Sequence, residues 1–322
     1  FGLLFCLDTY LPLFLFLKQS RLSNPLDNGS IISYYIYADK NIYINFCTSP
    51  PKHIKSRKAF PMFHLNLQLD WLPNAQFAGV LYAHSLGWYR QAGIDLSILP
   101  WQAHTNQIDQ LILDENYVVS TEDNLLIQAC AAGHPVKAIG SMMQYSGIGW
   151  MSLKQSGIQS LADLKGRRLG IHPDGKLAIK VALANQGMSP DDLEINDVGF
   201  DYIELLTNDE LDAMQCLIMV EPLEMATAGH PVDVIRGYDL GYQVYAQVIA
   251  TTDRLIQQQP DMLTRFLKVT FDGWRKAFEE PEESSRIVVD EYLKDSSVEL
   301  QKQMLLAMRP VFEGEVGMEK LG

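Results

Sequence analysis

An aromatic residue flanked by a carboxylate and an amide marks the first candidate binding site of the chain. The segment Asp70-Trp71-Leu72-Pro73-Asn74 combines an indole that can stack on a flat ring with a carboxylate that can accept hydrogen bonds from ring amines. Residues 65–71 alternate apolar and polar side chains, which is the period of a β-strand, and Pro73 and Asn74 are turn formers. We therefore expect Asp70, Trp71 and Asn74 at the carboxyl end of a strand, where open α/β sheets bind small ligands. The alternative is that Trp71 is a core residue.

A second polar group stands where a predicted strand meets a predicted helix. Residues 117–120 read as a short strand, and Ser120-Thr121-Glu122-Asp123-Asn124 opens a helix over 125–132. Acidic residues are favourable at a helix N-terminus, and the carboxylates of Glu122 and Asp123 can also bind an amine. The alternative is that the run only caps the helix.

The third candidate is a loop with the chemistry to hold an anion. The run His172-Pro173-Asp174-Gly175-Lys176 follows a predicted strand over 168–171 and precedes a predicted helix over 176–186. Backbone N–H groups at a helix start attract phosphate, and Lys176 adds positive charge. Pro173, Asp174, Gly175 and Lys176 are therefore candidate ligand contacts, although the spacing of a P-loop is absent.

A fourth candidate is Glu221, which with Pro222 follows the apolar run 217–220. A carboxylate at a strand end inside a cleft can bind an amine. A carboxylate that caps a helix needs no ligand, so the residues alone leave both roles open.

The composition limits the function classes. The 322 residues are 47% hydrophobic and carry a formal net charge of −13, which fits about two globular domains and offers no basic face for nucleic acid. The histidines lack the spacing of metal ligands, so we expect no metal site, and no cofactor motif occurs. The four cysteines show no C-x-x-C spacing, and two of them stand in apolar runs that predict buried thiols: Cys130 and Cys216.

Helices and strands alternate from residue 62 onward, which predicts an α/β fold with helices covering the sheets. Within this alternation we expect a strand over 203–206, a helix over 209–214 and a chain crossing in a loop over 147–150. The last third is predicted to be helical, with an apolar face formed by Met262, Leu263, Phe266, Leu267, Phe271, Trp274 and Phe278. Two lobes with a cleft between them would gather the strand-end loops around one ligand.

One short pattern occurs twice. The run Ala132-Gly133-His134-Pro135-Val136 recurs as Ala228-Gly229-His230-Pro231-Val232, and each copy joins a helix to a strand. Either one turn solution arose twice, or two structurally parallel lobes carry the same turn. In both cases His134 and His230 follow a C-cap glycine and are interpreted as turn residues.

The first 61 residues differ from the rest of the chain. They hold seven basic and three acidic residues, whereas the remainder has a net charge of −17. No clear signal peptide or membrane span is visible in them. We expect residues 1–61 to be a poorly structured or non-native leader. The protein would be cytoplasmic if Met62 is the start, and periplasmic or membrane-associated if a leader was lost.

The run LDWLPNAQFAGVLYAHSLGWYRQAGIDLSILPW and the run IQSLADLKGRRLGIHPDGK resemble the periplasmic-binding-protein-like superfamily. The resemblance is to the branch that holds sulfonate-binding proteins, binding proteins for pyrimidine precursors of thiamine, and the thiamine pyrimidine synthase. It implies a two-lobed, type II periplasmic-binding-protein-like fold, with mixed sheets flanked by helices and a ligand cleft between the lobes. Lobe one would comprise residues 62–142 and 248–322, and lobe two residues 143–247.

The resemblance also implies which residues a synthase would need. The synthase uses pyridoxal phosphate, held by a lysine, together with a histidine and iron. Those two positions fall on Thr121 and Leu125 here, and a cysteine-rich segment of the synthase corresponds to residues 241–246, which have no cysteine. Trp71 matches a tryptophan beside the ring and Glu221 matches a cleft glutamate, so the resemblance keeps the pocket and loses the catalytic pair.

Three functions follow from these observations. The first is a non-catalytic binding protein or sensor domain for a pyrimidine-type thiamine precursor, partnered by an ABC permease or a fused signalling domain. The second is a pyrimidine synthase of altered mechanism, with pyridoxal phosphate and iron as cofactors and His84 or His172 as the histidine. The third is a transport protein for a sulfonate or a similar anion.

Overall fold

The computed structural model describes residues 18–22, 31–38 and 42–47, and then 61–322 with gaps at 103–106, 173–174, 200, 316 and 322. Two compact units divide the chain, Phe1–Ala59 and Phe60–Gly322. In the first unit an antiparallel sheet has the order β1-β2-β3 and is formed by β1 (Lys18–Leu22), β2 (Ile31–Ala38) and β3 (Ile42–Cys47). That residues 1–61 are a poorly structured or non-native leader stays a prediction.

The second unit contains two five-stranded mixed sheets. The first sheet has the order β5-β4-β6-β13-β7 and comprises β4 (Phe63–Gln68), β5 (Ile94–Leu99), β6 (Tyr117–Thr121), β7 (Val136–Met143) and β13 (Ala246–Thr252). The second sheet has the order β10-β9-β11-β8-β12 and comprises β8 (Ile148–Leu153), β9 (Arg168–Ile171), β10 (Glu194–Asp197), β11 (Ala213–Leu217) and β12 (Val232–Arg236). The two orders are equivalent strand by strand, so the sheets form two lobes of the same design.

Helices flank both sheets, which confirms the predicted α/β class. They are α1 (Ala78–Ser85), α2 (Trp88–Gln91), α3 (Gln107–Leu113), α4 (Asp123–Ala131), α5 (Lys176–Asn185), α6 (Tyr202–Thr207), α7 (Glu221–Thr227), α8 (Asp253–Gln258), α9 (Pro260–Glu279), α10 (Pro281–Ile287) and α11 (Val298–Glu313). A π-helical segment follows α10 at Val288–Tyr292.

The apolar face predicted for the last third lies on α9 and packs against α1. Phe266 and Trp274 are fully buried in the core of the first lobe, together with Leu65 and Leu67 of β4. The two helices meet closely at glycines, since a Cβ on Gly79 would lie 2.4 Å from the Trp274 ring. This contact anchors the start of α1, and with it the loop that carries Trp71.

Both passages of the chain between the sheets occur at one edge. The chain leaves β7 at residue 143 and enters β8 at 148, and it returns from β12 at 236 to β13 at 246. Because β13 runs antiparallel to β6, and β8 runs antiparallel to β11, these passages lie at the carboxyl ends of β4, β6, β9 and β11. We call this the crossover edge.

The repeated turn occupies equivalent places in the two lobes. Gly133 and Gly229 have φ of +87° and +86°, a conformation that favours glycine at a helix C-terminus. The backbone N–H groups of His134 and His230 then donate to the carbonyls of Ala129 and Met225. The copies join α4 to β7 and α7 to β12, so the structure favours two parallel lobes over a coincidence.

Three predicted elements differ from the structure. Residues 203–206 belong to α6 rather than to the predicted strand. The prediction was wrong because the periodicity of four residues cannot distinguish a strand from a short helix. The helix predicted over 209–214 was wrong as well, since β11 begins at Ala213. Trp150 was expected in a loop but is a buried residue of β8, and Gly149 beside it leaves room for the side chain of Ile218 and the carbonyl of Ile235.

An ion pair fastens β9 to the start of β11 at the end opposite the crossover edge. Arg168 Nε lies 3.0 Å from Asp212 Oδ2, which also accepts the backbone N–H of Arg168 at 2.9 Å. These hydrogen bonds from Arg168 lower the pKa of Asp212. The stabilisation is complete above the ordinary aspartate pKa and is lost as the pH falls through the lowered value.

We expect Asp212→Asn to lower the free energy of unfolding by about 1–3 kcal/mol at neutral pH, because the hydrogen bond involves charged partners. The loss should begin to shrink at roughly pH 3, below the ordinary aspartate pKa, because the wild type starts to lose this stabilisation there. Urea unfolding at the two pH values measures both effects. Asp209→Asn is the control, since Asp209 contacts the same guanidinium but its side chain is 91% exposed. An equal loss at both pH values would contradict the electrostatic account.

Candidate ligand-binding site

Trp71 lies between the two lobes. Its ring stacks beside Trp101 with centroids 5.8 Å apart and an interplanar angle of 26°. His172, which follows β9 of the second lobe, contacts the Trp71 ring in a T-shaped arrangement with centroids 5.4 Å apart and an interplanar angle of 77°. Trp71 is half-buried, so the indole is an inter-lobe residue and not part of a closed core.

The ends of β4 and β5 are tied together below this aromatic pair. The buried Gln68 side chain donates from Nε2 to the carbonyls of Leu99 and Pro100, each at 3.1 Å. The backbone N–H of Trp101 donates to the carbonyl of Trp71 at 3.2 Å. The two indoles therefore leave neighbouring parallel strands at the same height, which is why they stack.

Asp70 faces the neighbouring strand of the sheet. Ser120 Oγ, at the end of β6, donates to Asp70 Oδ1 at 3.1 Å. Asn74 is buried and its Oδ1 accepts the N–H of Gln76 at 2.9 Å, which caps the short helical turn before α1. Asp70 is thus held at the crossover edge, whereas Asn74 has a clear structural role and its contact with a ligand stays a prediction.

The acidic start of α4 lies against the returning passage of the chain. Glu122 is 9% exposed, a costly position for a carboxylate. Burial raises the pKa of Asp123, although the backbone N–H groups of Asn124 and Tyr245 counteract it. Asn124 Nδ2 lies 3.3 Å from the hydroxyl of Tyr242. The cluster of acids predicted from the sequence is therefore assembled at the same edge as Asp70.

The predicted anion-binding loop is only partly described, because Pro173 and Asp174 lie outside the described residues. Gln215 Oε1, on β11, accepts the backbone N–H of His172 at 3.0 Å. A Cβ on Gly175 would lie 1.8 Å from the same oxygen, so only glycine fits there. Gln215 and Gly175 together fix where His172 stands relative to Trp71.

Lys176 points to another part of the second lobe. Its Nζ lies 2.7 Å from Asp197 Oδ1, and both side chains are largely exposed. The pair borders an open cavity of about 430 Å³ between α5 and β10, together with Ile179, Lys180, Ile195 and Asn196. The structure therefore groups Lys176 with β10, and its role in holding an anion stays a prediction.

Glu221 accepts a hydrogen bond from the backbone of its own turn. It is buried at the start of α7, and its Oε2 accepts the backbone N–H of Leu217 at 2.7 Å. One carboxylate oxygen thus closes the turn between β11 and α7. A ligand contact would use the rest of the carboxylate and stays a prediction.

Several residues of the edge escaped the sequence reasoning. Trp101 follows β5 just as Trp71 follows β4, so the strand-end rule would have found it. Gln68 and Gln215 are polar residues inside apolar strands, which is a usable signal for buried hydrogen bonds. Tyr242 carries no such signal, because its place depends on the return passage.

The structure also shows the surroundings of two cysteines and of His84. Cys216 is buried as expected, but Cys130 is exposed, since it lies on the outward face of α4. Both ring nitrogens of His84 are engaged, Nδ1 with the Tyr292 hydroxyl at 2.7 Å and Nε2 with the carbonyl of Leu96 at 3.1 Å.

Within the described ranges no three His, Cys, Asp or Glu residues are grouped as a metal site. None of the helices described there combines the length and apolar character needed to cross a bilayer.

Comparison with known proteins places this geometry in a family. The family described as NMT1/THI5 like matches residues 74–284. The chain belongs to this family. The family assignment confirms the predicted resemblance.

The riboflavin-binding protein RibY of Chloroflexus aurantiacus is 24% identical over an alignment of 262 residues, which covers 78% of this chain and 74% of RibY. The 4-amino-5-hydroxymethyl-2-methylpyrimidine phosphate synthase of Legionella pneumophila is 26% identical over an alignment of 231 residues, which covers 70% of this chain and 72% of the synthase. The crystal structure of the periplasmic aliphatic sulphonate binding protein SsuA from Escherichia coli superimposes with a TM-score of 0.62 at 17% identity, and the match covers 76% of this chain and 83% of SsuA. At that identity the last match shows the fold alone.

The NMT1/THI5-like chain lacks the groups that a synthase would need at two positions. Thr121, where the resemblance puts the synthase's lysine, is fully buried at the end of β6. Leu125, at the position of the histidine, lies on α4. A threonine has no amine for an imine and a leucine has no imidazole, so these residues do not fit a pyridoxal phosphate Schiff base.

We expect Asp123→Asn to raise the melting temperature at pH 7. A carboxyl whose pKa is raised by folding favours the folded state below its ordinary pKa, and this advantage is lost as the pH rises through the raised value. Asparagine removes the burial cost of the charge, so the gain should vanish in acid. Thermal unfolding at pH 7 and at about pH 4 measures it. Asp109→Asn, exposed in the first turn of α3, is the control, and a lower melting temperature for Asp123→Asn at pH 7 would refute the explanation.

Proposed function

We propose that this chain binds a pyrimidine-type thiamine precursor between its lobes, as a solute-binding or sensor domain in thiamine biosynthesis or salvage. Hydroxymethylpyrimidine, with or without a phosphate, is the ligand type. The single observation that carries the proposal is the inter-lobe position of Trp71, with Asp70 and the Glu122–Asp123 pair at the same edge.

Stacking is the first component of this binding. A partly exposed indole between two lobes offers a π-face to a flat ring, and stacking of a base on an aromatic side chain is worth about 1–3 kcal/mol. Trp101 supports the indole from one side and His172 meets it from the other lobe. A ring bound here would contact both lobes, and so its binding would favour the closed arrangement.

Charge is the second component, and it separates pyrimidines from sulfonates. Asp70, Glu122 and Asp123 place carboxylates at the edge of the first lobe. Carboxylates accept hydrogen bonds from exocyclic amines, as on an aminopyrimidine, and repel an anionic group placed at the same edge. The carboxylates therefore argue against a sulfonate as the ligand, although sulfonate-binding proteins share the fold.

The fold supports an ABC permease or a fused signalling domain as the proposed partner. Proteins of this architecture include ligand-binding components of ABC import systems, such as a Staphylococcus aureus protein of that description. Closure of the lobes on the pyrimidine would be the signal that an ABC permease or a fused signalling domain reads. Nothing in the charge distribution favours nucleic acid as a partner.

The synthase reading is the second candidate, because a relative carries that activity. It would need a histidine near the ring. His84 is engaged through both nitrogens inside the first lobe, whereas His172 touches Trp71. The absence of an amine at Thr121 still argues for binding without catalysis.

A ligand panel tests the proposal. We expect hydroxymethylpyrimidine or formylaminopyrimidine to raise the melting temperature of the purified protein, and taurine to leave it unchanged. Pyridoxal phosphate should produce no imine absorbance. Stabilisation by taurine alone would overturn the proposal. An imine band would favour the synthase, and its loss in Lys176→Ala would locate the imine.

We expect Trp71→Ala to weaken pyrimidine binding by about 1–3 kcal/mol, or roughly fivefold to more than a hundredfold, because the stacked face is lost. Calorimetric titration measures the change. Trp88→Ala is the matched control, since Trp88 is also half-buried but packs edge-on against Tyr82. Equal affinities in the wild type and Trp71→Ala would remove the indole from the site.

A further inference from the structure

At the crossover edge two buried polar side chains, Gln247 and Thr121, have polar atoms without a hydrogen-bond partner, as Trp150, Ser284 and Ser285 do elsewhere among the described residues. Gln247 is 3% exposed and neither its Oε1 nor its Nε2 has a partner. Thr121 is 0% exposed and its Oγ1 also has none. Buried polar groups are normally paired, and leaving them unpaired lowers stability. Their presence therefore points to a partner that comes from outside the chain.

The two residues lie on neighbouring strands at the predicted ligand edge. Thr121 is the last residue of β6, and its Cα partner in β13 is Val248, so Gln247 is one residue away. On the same edge Ser120 bonds Asp70, and Asp123 lies near the N–H of Tyr245, two residues before Gln247. The unpaired atoms thus belong to the part of the first lobe that holds the acids and the indole.

The backbone at Gln247 is unusual as well. Its φ is +48°, a left-handed conformation that is costly for a residue with a side chain. Glycine would adopt it freely. The chain therefore keeps a carboxamide at a place where both its backbone and its side chain are unfavourable for folding, as is common at functional sites.

The chemistry of a carboxamide defines what it can pair with. Its oxygen accepts and its NH₂ donates, side by side in one plane. The complementary ligand edge has a donor next to an acceptor, which is the exocyclic amine and adjacent ring nitrogen of an aminopyrimidine. The Thr121 hydroxyl can donate or accept one further hydrogen bond.

We infer that Gln247 reads the amino-substituted edge of the pyrimidine through its carboxamide, with the Thr121 hydroxyl as a second polar contact. This role rests on the proposed function and adds to it the residue that selects an aminopyrimidine. Trp71 supplies affinity for any flat ring, whereas Gln247 distinguishes between rings of the same shape.

The variants Gln247→Met and Thr121→Val keep the shape of each side chain and remove its polar atoms. Without ligand, both should unfold at the wild-type temperature or above it, because no hydrogen bond is lost. Thr270→Val is the matched control. Thr270 is equally buried, but its Oγ1 donates to the carbonyl of Phe266 at 2.9 Å and lies 2.8 Å from the Tyr89 hydroxyl, so this variant should melt at a lower temperature.

Calorimetric titration with hydroxymethylpyrimidine and with its analogue lacking the amino group completes the test. Gln247→Met should lose at least tenfold in affinity for the amino compound and bind the analogue as the wild type does. A lower melting temperature of ligand-free Gln247→Met, or an unchanged preference for the amino compound, would overturn the role of Gln247.

The same titration separates the two proposals. If Trp71→Ala loses affinity and Gln247→Met does not, the proposed function stands and only the role of Gln247 is wrong. If the wild type binds neither pyrimidine, the proposed function fails and the selectivity of Gln247 fails with it.

Discussion

The antiparallel pairing of β13 with β6, and of β8 with β11, decides where the polar chemistry of this protein lies. In each sheet one strand runs against the others, and it is the strand next to a passage between the lobes. The reversal brings both passages to the carboxyl ends of the parallel strands. Residues far apart in the chain, such as Trp71 and His172, are neighbours only for this reason.

Buried charged and unpaired polar groups at the crossover edge lower the stability of the fold, and apolar packing away from this edge offsets the loss. At the edge stand a nearly buried Glu122, an Asp123 with a raised pKa and the unpaired amide of Gln247. At the far side, the packing of α9 on α1 buries Phe266 and Trp274 completely. These three unfavourable groups stand together at one edge, as expected when they have to meet a ligand rather than the chain itself; Ser284 and Ser285 of α10 also bury unpaired hydroxyls.

Much of the architecture was predictable because it depends on local patterns. The alternation before Asp70, the acids at the start of α4 and the apolar face of α9 each predicted their element correctly. The errors fall where a short segment has no local preference. Residues 203–206 form a helix because the packing of the second lobe, and not their sequence, decides it.

The candidate site was harder to predict than the fold. The strand-end rule located Asp70, Trp71, Glu122 and Asp123, which depend only on β4 and β6. It could not locate Tyr242 or Gln247, since these belong to the return from the second lobe and become neighbours through the antiparallel β13. Pairing of distant strands is not encoded in the period of any one of them.

The two lobes have the same topology, but equivalent positions in them make different contacts. Asp123 and Glu221 stand at the same place in their lobes, each at the first position of the helix that follows the third parallel strand. Glu221 bonds the backbone of its own turn, whereas Asp123 lies against the chain returning from the other lobe. In the second lobe, Gln215 and Gly175 instead hold a loop that presents His172 to the indole. The first lobe thus concentrates the groups that can read a ring, and the second supplies a firmly held surface that can close over it.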